Sequence, residues 1–162
     1  MPFNWSTNKQ GYRFTGFFQK GYLGGPDRPF IRVVVALNRF GGSKQVDMLL
    51  DTGSDITTLQ PKDSLLMLDE SQLMQLINRR QVQGLGGFID SYLEDATVGF
   101  YLPDRKICWV PTVMDITDPY SGSTLPSTLG NDVLQYGSIG LNAARGIVTL
   151  ALVLPKPIIT SY

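Results

Sequence analysis

The sequence predicts a small, mainly β domain with a closed, barrel-like architecture and one or two short helices. Three observations predict it. The chain has 162 residues, the size of one domain. Hydrophobic residues make up 43% and charged residues 17%, a balance that can bury a core and argues against disorder. Apolar runs of strand length recur between glycine- and proline-rich turns, and a single longer stretch carries helical spacing.

The first 28 residues stand apart. They hold seven aromatics (Phe3, Trp5, Tyr12, Phe14, Phe17, Phe18 and Tyr22) and end in Gly24-Gly25-Pro26-Asp27, a run that favours turns. Residues 1–28 read as an arm or an added hairpin, with a removable prosegment as the alternative, and residues 29–162 as the main domain. Residues 30–37 form a β-branched run, Gly41-Gly42-Ser43 turns the chain, and residues 45–50 form the next strand, with 57–59 as a short continuation. Residues 61–80 are the helical candidate: Leu65, Leu66, Leu68, Leu73, Leu76 and Ile77 suit one or two short amphipathic helices, with Asp69 or Ser71 capping the second. Residues 81–82 and 88–93 flank Gly84-Leu85-Gly86-Gly87, a glycine-tipped hairpin. A second strand pair, 97–102 and 107–114, turns at Pro103-Asp104-Arg105. Residues 131–136 read as a short helix stopped by Gly137, and 146–154 as the final strand. Pro155 and Pro157 argue against the last residues running deep in a sheet.

Composition removes whole classes of chemistry. The chain has no histidine and one cysteine, Cys108. Ser-His-Asp and Cys-His catalysis, histidine-ligated metals and a disulfide framework are therefore excluded within one chain, and no metal or cofactor is expected. Lysine plus arginine equals aspartate plus glutamate, 14 each, so the basic excess of a nucleic-acid-binding protein is missing and no such partner is expected. No run approaches the ~18 apolar residues of a membrane span. The lone thiol and the lack of an apolar leader point to a cytoplasmic setting or to a segment of a viral or retroelement polyprotein.

Chemistry concentrates at Val46-Asp47-Met48-Leu49-Leu50-Asp51-Thr52-Gly53-Ser54-Asp55, where an apolar strand runs into a carboxylate and a tight turn. Burying Asp51 there requires hydrogen bonds that offset its desolvation, and the small residues after it can bring N–H groups and hydroxyls close. By itself, Asp-Thr-Gly is also compatible with an ordinary turn.

Three segments in order resemble the retropepsins, the retroviral-type aspartic proteases. They are Leu49-Leu50-Asp51-Thr52-Gly53-Ser54-Asp55 with Thr57, Thr58 and Leu59; Gly84-Leu85-Gly86-Gly87-Phe88-Ile89, similar to the flap tip; and Thr128-Leu129-Gly130-Asn131-Asp132-Val133-Leu134, similar to the segment that opens the last helix. The resemblance covers roughly residues 30–153. It implies an aspartic endopeptidase acting on peptides as a homodimer, because one chain supplies one Asp-Thr-Gly and the chemistry needs two carboxylates. By the same resemblance Asp51 is the catalytic acid, Thr52 bonds across the dimer axis, Gly53 lets substrate approach and Ser54 donates to the Asp51 carboxylate. Asp55 and residues Gly84, Leu85, Gly86, Gly87, Phe88 and Ile89 contact substrate, and Gly130, Asn131 and Asp132 open the helix. Asn131 departs from the arginine common in the viral enzymes and removes a charge beside Asp55. The dimer would draw on residues 146–154 and the aromatic arm. A catalytically inactive dimerisation or peptide-binding module is the alternative, since fold does not establish activity.

The remaining residues have blander readings. Cys108 lies in an apolar strand, Asp69/Glu70 and Glu94/Asp95 read as exposed faces, and Asp115 and Asp118 as loop acids. The lining of the substrate groove, from the flap, residues 55–59 and the segment around 111–116, is expected to be largely apolar.

Overall fold

Alternation of buried and exposed side chains decides which strands face the interior. A computed structural model describes residues 9–20, 24–84 and 87–162. Its elements are β1 (Lys9–Lys20), β2 (Asp27–Leu37), β3 (Ser43–Leu50), β4 (Thr58–Leu59), α1 (Pro61–Met67), α2 (Glu70–Leu73), β5 (Arg79–Gly84), β6 (Gly87–Leu102), β7 (Lys106–Thr117), β8 (Thr128–Leu129), α3 (Asn131–Leu134), β9 (Gly137–Asn142), β10 (Ile147–Pro155) and β11 (Ile158–Ser161). Along β10, Val148, Leu150, Leu152 and Leu154 are buried while the residues between them face outward, the period of two that a half-buried strand requires.

Hydrogen-bonded neighbours run β6-β7-β4-β8-β3-β2, and β2 pairs again with β6. That last pairing closes the ring. Val33, Val35 and Leu37 of β2, Val46 and Met48 of β3, Val98 and Phe100 of β6, and Met114 and Ile116 of β7 fill it. Two pairings are parallel: Leu50 of β3 beside Leu129 of β8, and Thr58 of β4 beside Asp115 of β7. They bring the end of β3 next to the start of α3, although 80 residues of chain separate Asp51 from Asn131.

The described part of the amino-terminal segment is built into the sheet. β1 pairs with β10 from Lys9 to Gly16 and then with β2 from Phe17 to Lys20. At the changeover a Cβ on Gly16 would lie 2.2 Å from the Phe30 carbonyl oxygen, so no larger residue fits. Phe14 is buried and stacks on Phe100 at 4.8 Å. With β1 on one side and β9 on the other, β10 has both edges paired. A second chain could therefore meet residues 146–154 through side chains and not through a free backbone edge. The outer edge in this part of the sheet belongs to β9.

Several elements differ from the sequence reading. The expected strands 88–93 and 97–102 are one continuous strand, β6, because Glu94 in its middle is buried against Arg39 rather than exposed. The helical stretch ends at Leu73: Asp69 and Gln72 form a reciprocal capping box, but Met74 and Ile77 are exposed, so no apolar stripe carries the helix onward. Arg79 and Arg80, at the end of that stretch, belong to β5. β9 was hidden by its glycines and is held by six-residue pairing with β10. Beyond the two prolines, β11 pairs with β7, where the Trp109 indole N–H donates to the Thr160 hydroxyl at 2.8 Å.

Cys108 is buried in β7 as expected, and desolvation pushes its thiol up to about 11. At pH 8 the native protein should resist alkylation by a thiol reagent, and labelling should accelerate on unfolding; rapid native labelling would show that β7 opens. Phe14→Ala should cost about 3–5 kcal/mol, read as a fall in the denaturation midpoint. A change below 1 kcal/mol would mean that β1 adds little to the barrel.

Candidate active site

Met48, Leu49 and Leu50 are buried side chains of β3, and they carry Asp51 to the strand's end at the mouth of a cleft. The Asp51 N–H donates to the Leu129 carbonyl at 3.1 Å, which continues the β3–β8 pairing into the loop. The chain then turns tightly: the Ser54 N–H donates to the Asp51 carbonyl at 3.2 Å, and the Gly53 N–H donates to Asp51 Oδ1 at 3.0 Å. A backbone donor thus fixes one carboxylate oxygen, and among the described residues no cation forms an ion pair with it. Ser54 has a different role from the one expected. Its hydroxyl donates to the Ile56 carbonyl at 2.9 Å, bracing the loop from within.

α3 locks this loop from the other side. The Asn131 N–H donates to the Ser54 carbonyl at 2.8 Å, the Asp132 N–H to the Asp55 carbonyl at 3.1 Å, and the Asn131 side-chain amide to the Thr52 carbonyl at 2.6 Å. Asn131 therefore secures the loop backbone through a neutral amide. Gly130 is required by the close approach, since a Cβ there would sit 2.7 Å from the Ile56 carbonyl carbon. The Asp132 carboxylate accepts from the Thr57 N–H at 3.0 and 3.1 Å, the Thr57 hydroxyl at 2.8 Å and the Thr112 hydroxyl at 3.0 Å. One side chain so ties α3, the loop after Asp51 and β7 together.

The cleft has a volume of about 720 Å³, within the usual range of ligand sites. Asp51, Gly53, Ser54 and Asp55 line it on one side; Val82, Gln83 and Ile89 of the β5–β6 hairpin line it on another. Gly84 and Gly87 pair at the hairpin's described end. Phe88 alternates to the opposite face from Ile89 and is 69% exposed, so it does not line the cleft. The expected flap residues Leu85 and Gly86 lie outside the described residues. Thr52 is exposed at the turn.

Sequence reasoning missed the polar part of the lining. Arg28, Arg80, Ser91, Asp115 and Thr117 all face the cleft. Asp115, expected in a loop, lies on β7 with its side chain 5% exposed and accepts from Arg80 at 3.0 Å. The available signal was its position inside a β-branched run, which places it on a strand. Among the described residues no cluster of carboxylates or thiols is arranged to hold a metal ion, and no helix is long and apolar enough to cross a membrane.

No family model and no curated protein matches the chain. Solved structures do. A retropepsin-like aspartic protease from Rickettsia conorii aligns with 13% identity and a TM-score of 0.50, covering 90% of this chain and 94% of that one. EIAV protease complexed with the inhibitor HBY-793 aligns with 23% identity and a TM-score of 0.39, covering 67% of this chain and 86% of that one. At 13% identity the likeness to the Rickettsia conorii structure is one of architecture, and it agrees with the closed strand ring that carries Asp51 at the end of β3: the chain has the retropepsin fold.

Proposed function

We propose that the chain is an aspartic endopeptidase, active as a homodimer in which each copy contributes one Asp51. The observation that carries this reading is the placement of Asp51. It stands at the end of a buried strand and the mouth of a peptide-sized cleft, one oxygen is held by a backbone N–H, and a glycine-ended hairpin lines the opposite side. Two such carboxylates in contact cannot both ionise cheaply, so the pair holds one proton between them. The ionised member takes a proton from a water as it attacks the peptide carbonyl, and the protonated member donates to the carbonyl oxygen. Thr52, exposed at the turn, bonds to its counterpart across the two-fold axis. Asp55 and Gly53 meet the substrate backbone, and the β5–β6 hairpin closes over it. The outer edge of β9, which has no strand partner among the described residues and leaves Leu141 exposed, is where a second copy gains sheet hydrogen bonds. The single buried thiol is consistent with a cytoplasmic setting or a polyprotein segment.

Incubation with a mixed peptide pool across acidic and neutral pH should give cleavage that Asp51→Asn abolishes without lowering the melting temperature. Turnover per chain should fall on dilution through the dimer dissociation constant, and excess Asp51→Asn chain should poison the wild type. Full activity from a chain shown by light scattering to be monomeric would sink the mechanism.

The α3 lock gives a second test. Asp132→Ala strands the Thr57 N–H and two hydroxyls, and should cost about 2–4 kcal/mol of stability together with most of kcat. Asp132→Asn retains an acceptor and should lose less of both. Equal losses in the two variants would show that the carboxylate acts through charge rather than through this geometry.

A further inference from the structure

The cleft contains a polar subsite left incomplete by the chain itself. Arg80 on β5, Ser91 on β6 and Thr117 on β7 are cross-strand neighbours in register, and Asp115 lies two residues from Thr117 on the same face of β7. All four line the cleft. The Arg80 guanidinium donates through Nη2 to Asp115 Oδ2 at 3.0 Å. Among the described residues, three buried polar atoms here have no hydrogen-bond partner: Arg80 Nε, Asp115 Oδ1 and Ser91 Oγ. One is a donor, one an acceptor, and the hydroxyl can be either. Buried groups of this kind are normally satisfied, and leaving them unmade is costly.

From this arrangement we infer that the subsite selects a substrate side chain bearing a neutral carboxamide, glutamine or asparagine. A carboxamide presents an acceptor oxygen to Arg80 Nε and the Ser91 hydroxyl, and an N–H to Asp115 Oδ1. It brings no charge to an ion pair that is already balanced. A carboxylate in the same place meets Asp115, and an ammonium or guanidinium meets Arg80. An aliphatic side chain offers none of the three atoms a partner, the situation in which polar sites discriminate most strongly. The inference rests on the reading of the cleft as a peptide site. In a symmetric dimer the subsite occurs twice, so the preference falls at two positions flanking the cleaved bond.

The test separates binding from cleavage. The full chain carrying Asp51→Asn is immobilised and presented with a randomised peptide pool, and retained peptides are sequenced; the wild type is given the same pool for cleavage. The retained peptides should be enriched in glutamine or asparagine at two positions a fixed distance apart, by roughly ten- to hundredfold over leucine or methionine. Adding Arg80→Met together with Asp115→Leu, which removes the pair without leaving a lone charge, should replace that preference with an aliphatic one. Ser91→Ala, a smaller change, should weaken it. Enrichment of aliphatic, acidic or basic residues at every position, or no retention of peptide, would overturn the inference. Carboxamide-selective retention without wild-type cleavage would leave it standing and count against the peptidase reading alone.

Discussion

The Asp132 carboxylate is the constraint on which the site depends. A charged group drawn partly out of water is tolerable only where donors replace its hydration, and this one receives the Thr57 N–H and the hydroxyls of Thr57 and Thr112. Those donors sit on different parts of the chain. The Thr57 hydroxyl in turn accepts from the Gly130 N–H at 3.1 Å, so the contact is reciprocal. What it fixes is the distance between α3 and the loop that follows Asp51. Without it, the backbone bonds from Asn131 and Asp132 to the loop carbonyls would have to hold that distance alone.

Barrel closure acts on the same loop from the other end. β3 is pinned by β2 on one side and β8 on the other, and β2 is itself held by β1 and β6. The position of Asp51 is thus set by a network of strands rather than by local turn chemistry. The hairpin facing it is less constrained. Among the described residues β5 has one strand neighbour, β6, and the Arg79–Asp90 ion pair at 2.6 Å joins the two on their exposed side. The strands that carry Asp51 are thus paired on both sides, while among the described residues β5 is paired along one side.

Much of this was legible in the sequence where local signals and tertiary fate agree. The β-branched run of β2 and the Leu49-Leu50-Asp51-Thr52-Gly53 junction fold as they read, because apolar alternation and turn residues encode them directly. The Asp69 cap was visible for the same reason. Residues whose fate is decided by a distant partner were not. Glu94 looked solvated because nothing near it in sequence neutralises it; Arg39, 55 residues away, does. Asp115 looked like a loop acid because Pro119 and Gly122 follow closely, yet it belongs to the strand before them and pairs with Arg80, 35 residues earlier. The hydroxyl of Ser54 had two acceptors within reach of its loop, and only the folded turn shows that it serves the Ile56 carbonyl.

Asp132 and Asp115 show how one fold uses a carboxylate in opposite ways. Both sit at the junction of β7 with another element; Asp132 is half-buried and Asp115 buried. Asp132 is surrounded by donors from its own chain, which makes it rigid and leaves it little to offer a ligand. Asp115 has an arginine on one oxygen and, among the described residues, no partner on the other. A buried ion pair is weak evidence for stability, since desolvation offsets much of its attraction, and well-packed apolar residues of similar volume often serve as well. Had only the barrel mattered, Leu or Met at 80 and 115 would fill this wall of the cleft with no desolvation to offset. The pair instead lines the cleft, where its polar atoms add nothing to the apolar filling of the barrel.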